Sequence, residues 1–272
     1  MTFADALRHE RTRAGLPQLR LALEARTSQR HISRLESGHV RPSQAMVLRL
    51  AQALHLSLRR RNHLLEAAGF APRFRADALD SADMAALRDA VQLLLDHTAP
   101  NPALAADRHW NLYQANTPMH RLFAALDPEL AGGAAAGPRN LMQWIWQPEG
   151  LRRCCRNWSE IAPWIWRQLS DDAAEAGSAT LDALLARHAC EVDVPGMQVD
   201  GAPMPAMLPL VLEIGGSELR LLSLIARFGS PSSATAEELR IETFIPADAD
   251  SRQRLEALLD ASAGHTPAGA LG

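Results

Sequence analysis

The sequence has no lysine: all twenty-eight of its basic residues are arginine. That absence excludes a Schiff-base lysine, a lysine general base and the lysine of a Walker-type phosphate loop, and several enzyme classes with them. Cysteine is scarce as well. Cys154 and Cys155 are adjacent and Cys190 stands alone, a set that builds no disulfide framework. No stretch reaches the roughly 18 uninterrupted apolar residues of a membrane-spanning helix. The leading MTFADALRHERTR also lacks an apolar signal core, so the expectation is a cytoplasmic protein with no membrane partner. What is present is an ordinary globular composition, 272 residues with 47% hydrophobic and 22% charged. That length suffices for one or two domains, each with its own core.

The formal charge of −3 conceals a division. Residues 1–75 hold fourteen arginines against five acidic residues (Asp5, Glu10, Glu24, Glu36 and Glu66), a balance of +9; residues 76–272 hold fourteen against twenty-six, a balance of −12. A basic module joined to an acidic one points to a polyanion partner for the first, against the alternative of a merely solvated basic face.

Helix signals in the basic part favour the polyanion. Five helices are predicted, at about Thr2–Ala14, Pro17–Ala25, Gln29–Ser37, Gln44–Leu54 and Leu58–Ala68. Pro17 opens the second, Ser28, Ser43 and Ser57 serve as N-caps for the last three, and Gly15, Gly38 and Gly69 follow the ends of the first, third and fifth. On the third helix Ile32 and Leu35 share an inner face, leaving Gln29, Arg30, Ser33 and Arg34 outside. Two helices joined by the short Arg26-Thr27 turn match a helix-turn-helix, whose second helix enters the DNA major groove. The arginine fork can pair bidentately with guanine and glutamine with adenine. Arg13, Arg20, Arg41 and Ser43, near helix ends and in the following loop, suit phosphate contacts.

The run QLRLALEARTSQRHISRLESGHVRPSQAMVLRLAQAL resembles the DNA-binding domain of XRE-type (phage repressor and Cro-like) regulators, over about residues 5–68. The resemblance implies a glutamine contact at Gln18 and base reading by Gln29, Arg30 and Arg34.

Arg73 to Ser81 loses apolar periodicity and is read as a linker at residues 73–80. The helix after Ser81 carries a stripe of Met84, Leu87, Val91, Leu94 and Leu95, able to pack within the chain or against a second copy. Beyond Pro102 the pattern is mixed. Strands are predicted at Ala103–Asp107 and Asn111–Ala115, then a helix capped by Thr117, a helical region over about 139–190, and a Pro/Gly/Met-rich loop to Met207. Strands at Leu208–Ile214 and Leu219–Phe228 flank a Gly215-Gly216 turn. A Thr235/Glu238 capping box precedes a last strand at Arg240–Ile245, with one helix at Arg252–Leu259 in a terminal tail. This order, without βαβ alternation, argues for an α+β domain with an antiparallel sheet after an all-α five-helix domain, α+β overall.

Three segments, PALAADRHWNLYQANTPMHRLF, NLMQWIWQPEGLRRCCRNWSEIAPWIW and ELRLLSLIARFGSPSSATAEELRIETFIPAD, resemble the MmyB-like ligand-binding domain of transcription regulators. The resemblance implies a PAS-like module at about residues 81–246, a tail at 247–272, and a small apolar ligand of the fatty-acid class. Pro163 and the charged Arg153 and Arg156 depart from the family pattern. All six tryptophans fall within residues 110–166, a concentration that suits an apolar pocket. Trp110, Trp144, Trp146, Trp158, Trp164 and Phe228 are the candidate lining. In each Trp-Ile-Trp triplet the two indoles lie about 200° apart on a helix, so one of each pair can face a common cavity. Arg152, Arg153 or Arg156 could pair with a ligand carboxylate, and Asn157 could supply a neutral hydrogen bond.

Catalysis finds no footing. The Cys154-Cys155 pair has no histidine or carboxylate at a recognisable spacing, His188-x-Cys190 lacks further zinc ligands, and the glycine pairs lack a nucleotide-loop context. The expectation is a non-enzymatic, dimeric, sequence-specific regulator of double-stranded DNA with no cofactor, tuned by a hydrophobic effector. The alternatives are a DNA-binding module fused to an enzyme, or to a ligand-free oligomerisation scaffold.

Overall fold

The computed structural model describes residues 1–79, 81–132, 137, 139–189, 207–229 and 233–263. The chain divides into two compact units: Met1–Ala85 with Phe228–Glu238, and Ala86–Arg227 with the residues from Leu239 onward.

In the first unit α1 (Phe3–Arg13), α2 (Gln18–Glu24), α3 (Gln29–Glu36), α4 (Gln44–Ala53) and α5 (Leu58–Ala67) follow one another through short turns. Their starts are set locally. Thr2 and Asp5 exchange the two bonds of a capping box, while Ser28 and Ser43 accept the backbone N–H of His31 and Met46. The turn between α2 and α3 passes through Arg26 at φ 51°, a left-handed conformation that is uncommon outside glycine. Leu7, Leu21, Ile32, Leu35, Leu50 and Leu65 have no exposure and form the core.

The second unit begins with α6 (Ala85–His97), then β1 (Ala103–Ala106), β2 (Leu112–Ala115), α7 (Thr117–Leu126), α8 (Leu141–Trp146), α9 (Leu151–Cys154), α10 (Trp158–Ala176) and α11 (Ala179–His188). β3 (Leu210–Ile214) and β4 (Ser217–Ala226) form a hairpin, and β5 (Arg240–Pro246) and α13 (Ala249–Ala263) end the described chain. The five strands make one antiparallel sheet in the order β2-β1-β5-β4-β3. Its register places Leu104, Leu212, Leu221, Ser223, Glu242 and Phe244 on one face, since side chains alternate along each strand. Among the described residues no helix is long and apolar enough to cross a membrane.

Several local expectations give way to tertiary partners. Asn116, not Thr117, caps α7: its Oδ1 accepts from Met119 N, and also from Ala103 N, which stitches β1 to the helix start. α10 runs through Pro163 unbroken, with Ile161, Ala162, Trp166 and Leu169 buried on both sides of it. The region read as a tail contains α13, whose Leu255 and Leu259 belong to the second core. The Pro/Gly/Met-rich loop, apart from Met207, and the chain end after Ala263 lie outside the described residues.

The largest departure concerns the linker. Buried Asn62 on α5 bonds Phe74 O, Arg73 N and Phe74 N, so the segment begins anchored. Further on, Arg75 bridges Ser233, Ala234 N donates to Arg75 O, and Thr235 Oγ1 donates to Asp77 O. Thr235 therefore lies inside α12 (Ala234–Glu238) and forms no capping box with Glu238. Ser57 likewise makes no cap bond to α5; the backbone N–H of Leu58 goes to Glu237 Oε2 at 2.6 Å, from a segment 179 positions later.

Candidate nucleic-acid interface and ligand cavity

α3 is an amphipathic element with an anchor at its end. Ile32 and Leu35 are fully buried, and Glu36 completes the same face with 3% exposure. The Glu36 carboxylate accepts from Arg11 Nε (2.6 Å) and Nη2 (3.0 Å) on α1 and from Gln18 Nε2 (2.8 Å) on α2. Arg8 Nη2 donates to its backbone carbonyl at 2.7 Å. Burial raises the carboxyl's pKa, but the bonds from Arg11 and Gln18 and the nearby guanidinium charges outweigh that, and the net shift is downward. One carboxylate thus ties α1 and α2 to α3.

The opposite face is open. Gln29, Arg30, Ser33 and Arg34 are exposed, and Arg30 and Arg34 engage no carboxylate among the described residues. The other expected contacts are more occupied. Gln18 is half-buried and donates to Glu36. Arg13 pairs at 3.1 Å with Glu10, which Arg60 also holds at 2.8 Å, and Arg20 pairs with Glu24 at 2.8 Å in an exposed pair within α2 that constrains little. Arg41 is exposed in the loop before α4, and Ser43 caps that helix through its oxygen, leaving its hydroxyl proton available.

The second unit contains a partly open cavity of about 310 Å³, within the range of small-molecule sites. The inward sheet face forms one wall. Helices α7, α8 and α10 form the others, through residues such as Phe123, Trp144, Ile161 and Trp164. Trp144 is fixed twice: its ring meets Phe123 edge-on at 5.6 Å and its Nε1 donates to Asp127 Oδ2 at 3.1 Å. Behind it, a Cβ on Gly150 would stand 1.8 Å from the Trp144 carbonyl oxygen, so only glycine permits that approach.

Trp110, Trp144 and Trp164 of the predicted lining are on the wall. One indole of each Trp-Ile-Trp triplet faces the cavity, and Trp146 and Trp166 turn away. Trp146 packs edge-on against Trp158 and Trp166, at 5.0 and 5.6 Å, and stacks on His188. The expected polar partners are placed elsewhere. Arg152 lies over the Trp158 ring, Arg156 pairs with Glu213 at 2.6 Å, and Asn157 ties α10 to β3 through Pro209 O and Val211 N. Phe228 belongs to the first unit. None of these, nor Trp146 or Trp158, lines the cavity. Cys155 is buried, and burial pushes its thiol up to about 11, leaving it protonated at neutral pH and a poor nucleophile. Cys190 lies outside the described residues.

Residues not singled out in the sequence complete the site. Gln168, Ser223 and Glu242 are polar side chains on an otherwise apolar wall. Beside it, Trp110 takes φ 64°, a genuine outlier for a bulky residue. Its Nε1 donates to Asp172 Oδ2 at 2.8 Å, and Asp172 receives both Nη atoms of Arg240 at 2.5 Å. The Arg240 guanidinium lies 4.7 Å from the Trp110 ring centroid. All three are at least 95% buried, so this ion pair is desolvated and holds the strained tryptophan in place. The one advance signal was sequence spacing for Glu36, at i+4 from Ile32 on the apolar face.

Two family models match the chain, each on one unit's main segment. A helix-turn-helix model covers residues 7–60, and the MmyB-like transcription regulator ligand binding domain covers residues 87–258. No curated protein matches the chain at a significant level. With a helix-turn-helix domain ahead of a ligand-binding domain that spans more than half the sequence, the chain belongs to the MmyB-like transcription regulators.

Proposed function

We propose that this protein is a one-component regulator that binds a two-fold operator as a homodimer and whose operator affinity is set by a small apolar molecule in the cavity. The observation that carries this reading is the path of the chain between β4 and β5. Those strands contribute Leu221, Ser223, Glu242 and Phe244 to the cavity wall, and the segment joining them, Phe228–Glu238, is part of the first unit. There Glu238 pairs with Arg59 at 2.6 Å and Glu237 caps α5. A ligand that shifts β4 and β5 pulls on the group that holds the N-terminus of α5. Trp110 adds a second lever, because it touches the cavity and reaches Arg240 through Asp172, two residues beyond Glu238 in sequence. The ligand acts only to the extent that it binds one of the two DNA-affinity states better than the other.

On the DNA side, Arg30 and Arg34 would read guanine and Gln29 adenine, each good pair giving roughly 1–3 kcal/mol of discrimination. One short helix reads few base pairs, and two copies about 34–36 Å apart multiply the selectivity. Selection of bound duplexes from a randomised pool tests the reading. The expected outcome is an enriched inverted repeat with half-sites about one turn apart, a preference relaxed by Arg30→Ala or Arg34→Ala. Arg41→Ala should weaken all sequences alike and lower the salt slope by about one. Failure to enrich any sequence would overturn it.

A further inference from the structure

We infer that the cavity selects an apolar ligand whose head group donates a hydrogen bond, alcohol-like rather than a carboxylate, and that Glu242 makes the selection; this rests on the cavity being the ligand site. Glu242 stands on the inward face of β5, opposite Leu104 of β1 and Ile225 of β4. Its Oε1 accepts the hydroxyl of Ser223, and among the described residues that is its only hydrogen bond. A carboxyl can accept several, so acceptor capacity remains on the cavity side.

The Arg240 charge acts on Glu242, but no cation stands on the described wall. The described wall contains no arginine and no histidine. Arg240, two residues earlier on the same strand face, is not on the described wall and spends both Nη atoms on Asp172, while its buried Nε has no partner among the described residues. Arg152 and Arg156 are occupied on Trp158 and Glu213. Burial pushes the Glu242 carboxyl up, against the opposing pull of Ser223 and Arg240. A ligand carboxylate would meet no cation on the described wall and, wherever Glu242 is ionised, a second negative charge. A hydroxyl would instead donate to Glu242 while its chain covers the apolar wall.

Tryptophan fluorescence reads occupancy directly, since Trp110, Trp144 and Trp164 line the cavity. The full chain would be titrated with decan-1-ol, 1-methoxydecane and decanoate at neutral pH, alongside E242Q. The wild-type protein should bind the alcohol about ten-fold more tightly than the ether, which lacks the donor, and than decanoate, which adds the charge. E242Q should bring decanoate to within about three-fold of the alcohol, since the residual gap is below one factor of ten. Decanoate binding the wild type as tightly as the alcohol, or ratios unchanged in E242Q, would overturn the head-group assignment and leave the cavity reading standing. If none of the three binds, the cavity reading fails and this inference with it.

Discussion

Glu36 and Glu242 are both carboxyls on inward-facing positions, Glu36 buried and Glu242 half-buried, one in each unit, and their surroundings send them opposite ways. Glu36 is met by two guanidiniums and an amide, and its pKa falls. Glu242 is met by one hydroxyl and an apolar cavity, and its pKa rises. The first is a closed joint with its lone pairs committed to α1 and α2. The second is an incomplete one, and incompleteness is what a binding site requires. The same contrast extends to the arginines. Arg11 and Arg59 are fixed in ion pairs that hold elements together, whereas Arg30 and Arg34 project with no carboxylate partner among the described residues.

The sharpest way to break the comparison is at the closed joint. Glu36→Ala leaves Arg11 buried without its carboxylate, and loss of one partner of a buried pair costs about 3–5 kcal/mol. Urea denaturation followed by circular dichroism should show the first unit unfolding early, while fluorescence of the second unit still responds to decan-1-ol. A loss below about 1 kcal/mol, the range of exposed pairs, would mean the hub is not structural. Gly150→Ala strikes the cavity instead. The new Cβ forces the Trp144 backbone to move, at an expected cost of about 1–3 kcal/mol typical of overpacking. Apolar ligands should then bind more weakly with base preference unchanged in the randomised-duplex selection.

Arg59→Ala should cost only about 1 kcal/mol, since the pair it breaks is partly exposed. Its main effect should fall on coupling: in anisotropy titrations of a labelled operator, the ligand's influence on DNA affinity shrinks while both affinities persist separately. Acidity gives the smallest and most diagnostic effect. Glu36, with a lowered folded pKa, stabilises above the ordinary glutamate range, and that contribution is lost as pH falls through the folded value. Glu242, with a raised folded pKa, has the opposite sign. The folded state binds the extra proton, so its contribution is present at low pH and declines as pH rises from the ordinary range to the folded value. Thermal melts across mildly acidic pH should show E36Q flattening the acid-side loss and E242Q flattening the rise on acidification.

The first unit was legible because its signals are local. Ser28, Ser43 and the glycines after the helices act within four residues, and the helix boundaries follow them closely. Where the partner comes from far along the chain, local reading fails: Ser57 has the right identity for a cap, yet Glu237 takes the position. Residues 73–77 lack periodicity because backbone bonds to Asn62, Ser233 and Thr235, not an apolar face, hold them. In the second unit the 200° rule places the paired tryptophans on opposite sides from spacing alone. Glu242 was invisible for a specific reason. Alternation in RIETFIP suggests Ile241, Thr243 and Ile245 face inward, whereas the strand turns Arg240, Glu242 and Phe244 toward the interior and leaves Ile245 37% exposed. An inverted pattern of this kind is what a polar group on a cavity wall produces.

Operator affinity measured with the cavity empty and filled tests the account most directly. With a labelled duplex carrying the selected inverted repeat, saturating decan-1-ol should change the Kd by about 5- to 150-fold, and bound DNA should change the ligand's affinity by the same factor. An unchanged operator Kd, while tryptophan fluorescence reports a filled cavity, would contradict it.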